Sequence, residues 1–140
     1  MFTHASMTDD QPGRPSWQHF VIYYLPPILF AAVIIGVSSI PNLTTPELRV
    51  IAFDKLAHLI EYAVFAFLVY RAFVHRRGRA RADRAIWYAA LVVAMFAVFD
   101  ETYQRFVPGR YGSGIDVAAD LLGAFLVLAF FEVRRRRLKL

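Results

Sequence analysis

The sequence predicts an all-α, polytopic membrane protein in which four transmembrane helices form a bundle. The first observation is apolarity, since 58% of the 140 residues are hydrophobic and soluble domains are about 45–50% apolar. The mean hydropathy is accordingly positive, at +0.43. The second is that the apolar residues gather in four runs of about 20 residues, a length at which a helix crosses a hydrocarbon core of about 30 Å. Together they predict one membrane-embedded domain.

The four predicted spans are connected by more polar segments. Their helical conformation follows from their length and from the need to pair every backbone amide inside a bilayer. Pro26 and Pro27 lie inside the first run, where they remove two amide donors and predict a bend. A soluble bundle is the alternative, but it would leave little polar surface for water. The predicted spans are Phe20–Ser39, Phe53–Phe73, Ala85–Tyr103 and Gly114–Val133.

Polar segments flank the predicted membrane domain, which we assign to residues 17–133. Residues 1–16 contain two prolines and one glycine among polar side chains, a composition typical of a disordered tail. They lack a charged region followed by a cleavage site, so we expect no cleaved signal peptide. Residues 134–140 form a basic tail, which we expect to lie in the cytoplasm.

Basic residues predict the orientation of the bundle. Twelve of the 16 Lys and Arg residues share a side with the two termini, mostly in the loop 75–84 and the tail 134–140. The remaining four are Arg49, Lys55, Arg105 and Arg110. The positive-inside rule therefore places both termini in the cytoplasm. An even number of spans agrees with this assignment.

The composition also excludes several classes of site. The chain has no cysteine, which rules out disulfides, thiolate metal sites and cysteine nucleophiles. The net charge is +5 and the pI about 9.9, values that can indicate nucleic-acid binding. Here the basic residues cluster at span ends, where topology and anionic lipid explain them. We therefore expect membrane lipids, and no nucleic acid, as partners.

Polar side chains interrupt three spans at one membrane level. In the second span Asp54, His58 and Tyr62 are spaced by four residues and share a helix face, with Glu61 beside them. The third span ends with Asp100 and Gln104, and the fourth begins with Asp116 and Asp120; each pair is four residues apart. The connection between these two spans is short, so we expect antiparallel neighbours. The sequence thus predicts one polar pocket, sunk into the membrane and facing outward. Its other members are Asp100, Glu101, Gln104, Asp116 and Asp120.

Placing so many carboxylates within a membrane is costly. An ionised Asp at the bilayer centre costs roughly 2.5–3.5 kcal/mol on insertion scales, so such groups tend to be paired and functional. One hypothesis is a self-satisfied network in which Lys55, His58 and Arg110 neutralise the acids and the cluster only stabilises the bundle. The acids outnumber the basic groups, however, and leftover carboxylates need a proton, a metal or a ligand.

Three motifs, read together, resemble those of the VanZ-like family. They are DKxxHxxxY (Asp54, Lys55, His58, Tyr62), DExxQxFxPGR (Asp100, Glu101, Gln104, Phe106, Pro108, Gly109, Arg110) and SxxDxxxxxxG (Ser113, Asp116, Gly123). Ser38, Ser39 and Pro41 resemble the first motif of that family. The resemblance covers about residues 20–133. At position 120 many relatives carry Asn, where this chain has Asp120.

The resemblance implies a small, multi-pass protein of the bacterial cytoplasmic (inner) membrane. The family's namesake is linked to low-level resistance to teicoplanin, a glycopeptide that acts outside the cell on lipid-linked wall precursors. The predicted pocket faces the same compartment. We therefore hypothesise that it binds or modifies the head group of a lipid or of a lipid-linked cell-envelope precursor.

The first hypothesis for the site is an enzyme. His58 would act as a general base, oriented by Asp54 or Asp100. Glu101 or Asp116 would act as an acid. The remaining candidates would bind the ligand, with Lys55 and Arg110 on phosphate oxygens and Ser113 as a weaker nucleophile candidate. These ligand-binding candidates are Lys55, Tyr62, Gln104, Arg110, Ser113 and Asp120.

The second hypothesis is a non-enzymatic binding or transport-like module, in which the same residues recognise a ligand or pass a proton. Small residues in the fourth span allow close helix approach, either within the bundle or in a homo-oligomer. We expect no resident cofactor. One histidine among carboxylates could ligate a divalent metal, but a dense metal-site spacing such as HExxH is missing from the sequence.

Overall fold

A computed structural model describes residues 16–41, 48–75 and 84–137, and every regular element among them is an α-helix apart from one 3₁₀ residue. The five helices are α1 (Ser16–Tyr23), α2 (Leu25–Ser38), α3 (Leu48–Val74), α4 (Ala85–Gln104) and α5 (Gly114–Arg137). The predicted all-α class is confirmed.

Three helices are long and apolar enough to cross a membrane by themselves. They comprise Phe53–Val74 of α3, the whole of α4 and the whole of α5. Helices α1 and α2 pass the same test together as a broken span, with a bend of 43° between them. The described residues therefore contain three helices that are long and apolar enough to cross a membrane, or four such spans when the bent pair counts as one.

The bend lies just ahead of the two prolines. Helix α1 ends at Tyr23, and α2 begins at Leu25 with Pro26 and Pro27 in its first turn. A proline lacks the amide that would bond four residues back, and its ring crowds that carbonyl. The first turn of a new helix needs neither group, so the prolines are accommodated there. The predicted bend is confirmed, and its hinge is Tyr24.

Small side chains allow the spans to pack closely at the centre of the bundle. Ala66 of α3, Ala89 and Ala97 of α4 and Ala124 of α5 are all buried. Larger residues fill the remaining core, which includes Ile34, Tyr62, Phe65, Val69, Val93 and Leu128. Helix association in lipid depends on such close packing, because apolar side chains gain little free energy by exchanging lipid tails for one another.

The outside of the bundle is apolar as well. Trp87 is 74% exposed, Met95 64% and Phe125 64%. Contiguous exposed apolar surface on this scale is unusual for a soluble monomer. Together with the length of the helices, it indicates that lipid surrounds the bundle.

Helices α3 and α5 approach each other most closely at Gly123. A Cβ atom placed on Gly123 would lie 2.0 Å from the Leu59 carbonyl oxygen, a distance that real side chains do not tolerate. Only glycine fits this position without moving a helix. We predicted that small residues of the fourth span allow close helix packing, and Gly123 does so.

The ends of the chain differ partly from the sequence prediction. The basic run begins inside α5, which continues to Arg137, so that residues 134–137 extend the last span as helix. Residues 1–15 and 138–140, which include nearly all of the predicted disordered tail, lie outside the described residues. The bundle alone does not assign a side to either end, and cytoplasmic termini stay a prediction from the charge distribution.

We expect Gly123→Ala to lower the stability of the protein by about 1–3 kcal/mol, the usual cost of overpacking a filled core. The matched control is Gly36→Ala in α2, where an added Cβ meets nothing within 4 Å and where alanine favours a helix. Thermal unfolding in mild detergent, followed by circular dichroism, measures both. Equal melting temperatures for the two variants would contradict the close contact of α3 with α5.

Candidate functional site

The polar residues singled out in the sequence meet at one end of the bundle. This polar end comprises the first half of α3, the end of α4 and the start of α5, and the last residues of α2 join it. Asp100 and Asp120 are each 1% exposed, so the cluster is buried between the helices. Its other buried members are Ser38, His58, Tyr62, Glu101, Gln104, Arg110 and Asp116.

Lys55 joins α3 to α5 by contacting one carboxylate from each helix. Its ammonium nitrogen lies 3.1 Å from Asp54 Oδ2 and also contacts Asp116 Oδ1. Asp54 and Lys55 are neighbours on α3, whereas Asp116 belongs to the first turn of α5. The Lys55 ammonium is therefore held between two carboxylates from different helices.

His58 forms the next link along the same pair of helices. Its Nδ1 lies 2.9 Å from Asp120 Oδ1, and both side chains are buried. This contact fixes the ring and leaves Nε2 as the nitrogen open to another partner. The sequence predicted Asp54 or Asp100 as the residue that orients His58. In the structure Asp120 contacts His58 instead. His58 lies about one turn after Lys55 on α3 and Asp120 lies one turn after Asp116 on α5, so the two residues face each other as Lys55 and Asp116 do.

Helix α2 is tied to the cluster by hydroxyl, amide and guanidinium groups. Gln104 Nε2 donates to Asp100 Oδ2 and to Ser38 Oγ, each at 3.2 Å. Arg110 Nη2 donates to the Val37 carbonyl at 2.7 Å. The bonds to Ser38 and to the Val37 carbonyl cross from α4 and its following loop to α2, so they fix the end of the first span against the polar end.

The loop between α4 and α5 places Arg110 and starts α5. Gly109 has a φ of 74°, a left-handed conformation that glycine adopts without strain. The Ser113 amide donates to Glu101 Oε1, and Ser113 Oγ accepts from the Ile115 amide at 3.1 Å. Ser113 thus serves as the N-cap of α5, which engages the hydroxyl predicted to contact a ligand.

Several buried polar atoms of this cluster remain without a partner. Across the described residues 16–41, 48–75 and 84–137, five buried side-chain atoms have no hydrogen-bond partner, and all five belong to the polar end. They are Tyr62 Oη, Asp100 Oδ1, Glu101 Oε2, Arg110 Nε and Asp120 Oδ2. Buried polar groups are rarely left unpaired, because each costs roughly 1–3 kcal/mol. Protein groups alone therefore do not pair every buried polar atom of the cluster.

The charges at this end are also unequal. Its buried or half-buried described side chains include six carboxyl groups but only two fixed cations, Lys55 and Arg110. His58 can add a third positive charge. Uncompensated carboxylates cannot stay ionised at low cost in a low-dielectric setting. They require protons or a cationic or hydrogen-bonding ligand. The six acids are Asp54, Glu61, Asp100, Glu101, Asp116 and Asp120.

A comparison with protein-family models bears on this arrangement. The model described as VanZ/LLP1 matches residues 2–135, which include every residue of the polar end. The chain belongs to the VanZ/LLP1 family. No curated protein and no solved structure matches the chain.

All eleven predicted site residues of this VanZ-family protein fall at the polar end. Asp54, His58, Asp100, Glu101 and Asp116 were predicted as catalytic, and the roles of all eleven stay predictions. Glu61, whose direction the sequence left open, is half-buried and lies within electrostatic range of His58 and Asp100. The structure adds the Val37 carbonyl, which a sequence motif of side chains cannot reveal.

The pair Ser39 and Tyr103 was also missed. Ser39 Oγ donates to the Ile35 carbonyl at 2.6 Å, so the Tyr103 hydroxyl, 2.8 Å away, donates to Ser39. Ser39 was noted in the sequence only through the family resemblance. In the sequence Tyr103 has the features of an ordinary interfacial aromatic residue. Its contact with Ser39 arises only from the packing of α4 beside α2.

Three residues of the polar end have the geometry of a cation site. One ligand atom each from Asp54, His58 and Asp116 lie within 4.8 Å of one another. Oxygen and imidazole donors suit Zn²⁺, Mn²⁺ or Mg²⁺. The Lys55 ammonium contacts both carboxylates of this set, so a divalent ion would have to displace it.

We expect the Lys55–Asp116 pair to show coupling in a double-mutant cycle. Lys55→Met should lower the melting temperature because it leaves two carboxylates without their cation. Asp116→Asn should lower it because Lys55 then keeps only Asp54 as a charged partner. The double variant should lose less than the sum, with a coupling of about 0.5–3 kcal/mol. Thermal unfolding in detergent measures all four proteins.

The matched control is the Glu132–Arg136 pair at the other end of α5. Arg136 is 76% exposed, and exposed pairs contribute about 0–1 kcal/mol. Glu132→Gln and Arg136→Met should therefore be nearly additive. Additive losses at Lys55 and Asp116 as well would show that this contact contributes little to the polar end.

Proposed function

We propose that the polar end of this VanZ-family protein recognises the polar head group of a lipid or of a lipid-linked cell-envelope precursor. The observation that carries the proposal is the set of five buried polar atoms without partners, all in one cluster. Buried polar atoms in folded proteins are rarely left unpaired, and a ligand that bonded to them would offset the free-energy cost of burying them.

The chemistry of the unpaired atoms indicates the class of ligand. Arg110 Nε can only donate a hydrogen bond, and Tyr62 Oη can donate or accept one. The carboxyl oxygens of Asp100, Glu101 and Asp120 accept when ionised. A head group that combines phosphate oxygens with hydroxyl or ammonium donors would satisfy both kinds of atom. Phospholipid and sugar-phosphate lipid head groups have this combination.

The position of the cluster in the fold supports a membrane-derived ligand. The cluster lies at the end of the spans, where α3 and α5 begin and α4 ends, which is the level at which head groups lie in a bilayer. The charge distribution predicts that this end faces outward. A role in the cell envelope, including glycopeptide resistance, would follow from that side, and it rests on the family resemblance.

A specific contact favours a catalytic version of the proposal. His58 is held through Nδ1 by Asp120, the arrangement in which an imidazole acts as a general base through its other nitrogen. In this version His58 would take a proton from a hydroxyl of the bound head group, and Lys55 would offset the resulting charge. The competing version is a binding module that uses the same contacts without turnover.

A third interpretation is that the cluster only holds the bundle together. Bonds from Gln104, Arg110 and Lys55 do connect α2, α3, α4 and α5. Such a scaffold would work better with every atom paired, since a half-satisfied network is worse than an apolar core. The five unpaired atoms therefore favour a ligand site over a pure scaffold.

The test is native mass spectrometry of the protein in mild detergent, with extraction and identification of bound lipids. We expect a retained phosphate-bearing lipid in the wild type and its loss in Arg110→Gln. Arg105→Gln is the matched control, because Arg105 is an exposed arginine near Arg110 in the same connection and the charge change is identical. Circular dichroism shows whether both variants stay folded.

The outcomes separate the three interpretations. Loss of the lipid in Arg110→Gln alone, with folding intact, supports head-group recognition, and turnover can then be tested on that molecule with His58→Gln. Retention of the same lipid in both variants would exclude Arg110 as a contact. Destabilisation of Arg110→Gln with no lipid on the wild type would favour the scaffold.

A further inference from the structure

A groove runs along the seam of α3 and α5 at the end opposite the polar end. It consists of two adjoining cavities of about 450 and 390 Å³ that share Phe67 and Phe131. Their volumes fall in the range of about 300–1,000 Å³ typical of small-molecule sites. The inner cavity is lined by Ala63, Val64, Leu126, Val127 and Phe130 besides the shared pair, and it has no charged residue.

The mouth of the groove is basic and aromatic. Arg71, Arg134 and Arg135 line it together with Tyr70, Val74 and His75. Glu132 pairs with Arg135 and with Arg136. Neither Arg71 nor Arg134 has a carboxylate partner in the described part of the chain, and Arg71 lies 5.1 Å from the centre of the Tyr23 ring. Among the described residues, these two guanidinium groups at the mouth therefore have no anionic partner.

The groove is separate from the polar end. Helix α3 carries His58 at the polar end and Arg71 at the groove mouth, 13 residues apart in one helix. At a rise of about 1.5 Å per residue, this separation is about 20 Å along the helix axis. A ligand in the groove would touch none of the polar cluster.

We propose that this groove, from Phe67 and Phe131 to Arg71 and Arg134, binds one anionic phospholipid of the leaflet at the basic end of the bundle. An acyl chain fills the apolar inner cavity, and the phosphate contacts Arg71 and Arg134. Arginine suits this role, because its planar guanidinium binds phosphate oxygens through two parallel bonds. The proposal does not depend on the function proposed for the polar end.

The shape and charge of the groove favour a lipid over other anions. A free phosphate or a nucleic acid would use the basic mouth but not the apolar cavity that continues from it. Phe130 and Leu126, which line that cavity, are 61% and 52% exposed on the outer face of the bundle. A lipid can therefore enter sideways from the membrane. Basic pockets between spans are a recognised type of anionic-lipid site.

The experiment is native mass spectrometry of delipidated full-length protein titrated with an equimolar mixture of phosphatidylglycerol and phosphatidylcholine. We expect the wild type to retain one phosphatidylglycerol preferentially. The variant Arg71→Gln with Arg134→Gln should bind it about 30-fold more weakly, the effect expected for two basic residues at a membrane surface. Arg84→Gln with Arg137→Gln is the control, since both are exposed arginines outside the groove lining and the charge change is equal.

A second variant keeps the test valid if the double arginine variant does not fold. Arg134→Gln alone changes an exposed side chain, so we expect this variant to fold. Phosphatidylglycerol should raise its melting temperature less than it raises that of the wild type. An equal loss in the Arg84 and Arg137 control would overturn the proposal in favour of diffuse attraction. Equal retention of phosphatidylcholine, or equal stabilisation by inorganic phosphate alone, would overturn it as well.

The same samples distinguish this site from the polar end. Arg110→Gln should leave the phosphatidylglycerol of the groove in place. The Arg71 and Arg134 variant should leave any ligand of the polar end in place. Loss of the groove lipid in Arg110→Gln would contradict the separation of the two sites.

Discussion

The contact of Gly123 with the Leu59 carbonyl determines how the rest of the site is built. It brings the axes of α3 and α5 together where no side chain fits between them. One turn away, His58 then reaches Asp120, and a further turn away Lys55 reaches Asp116. Farther along the same seam, Phe67 and Phe131 line the groove whose mouth is basic. The close approach at Gly123 thus organises the contacts between α3 and α5 at the polar end.

The polar end contains polar groups that connect the helices beside polar atoms that no protein group pairs. Some groups, such as Gln104, connect helices and are paired. Others are buried but lack partners, including atoms of Asp100, Arg110 and Asp120. The free-energy cost of an unpaired polar atom is higher inside a membrane, because the hydrocarbon core contains no water to form a hydrogen bond with it. Their retention is reasonable where a polar head group at the end of the spans supplies the missing partners.

Much of the fold could be predicted because the bilayer restricts the options. Long apolar runs in lipid must be helices, and spacings of four residues place Asp54 and His58, or Asp116 and Asp120, on common faces. The helix-to-helix pairs could not be predicted, since several carboxylates at one membrane level could have faced His58. The Val37 carbonyl and the groove also depend on backbone positions and on helix separation, which side-chain patterns do not encode. The bend lies at Tyr24, ahead of the prolines, because Pro26 and Pro27 fit the first turn of a new helix, where no amide donor is needed.

The decisive experiment is an experimental structure of the protein purified with its native membrane lipids. We expect non-protein density at the polar end that contacts Arg110 Nε and at least one of the unpaired carboxyl oxygens of Asp100 and Asp120. A structure in which these atoms pair with one another, or with other protein groups, and no ligand density lies between them would contradict it. In that case the polar end would be a closed network that holds the spans together.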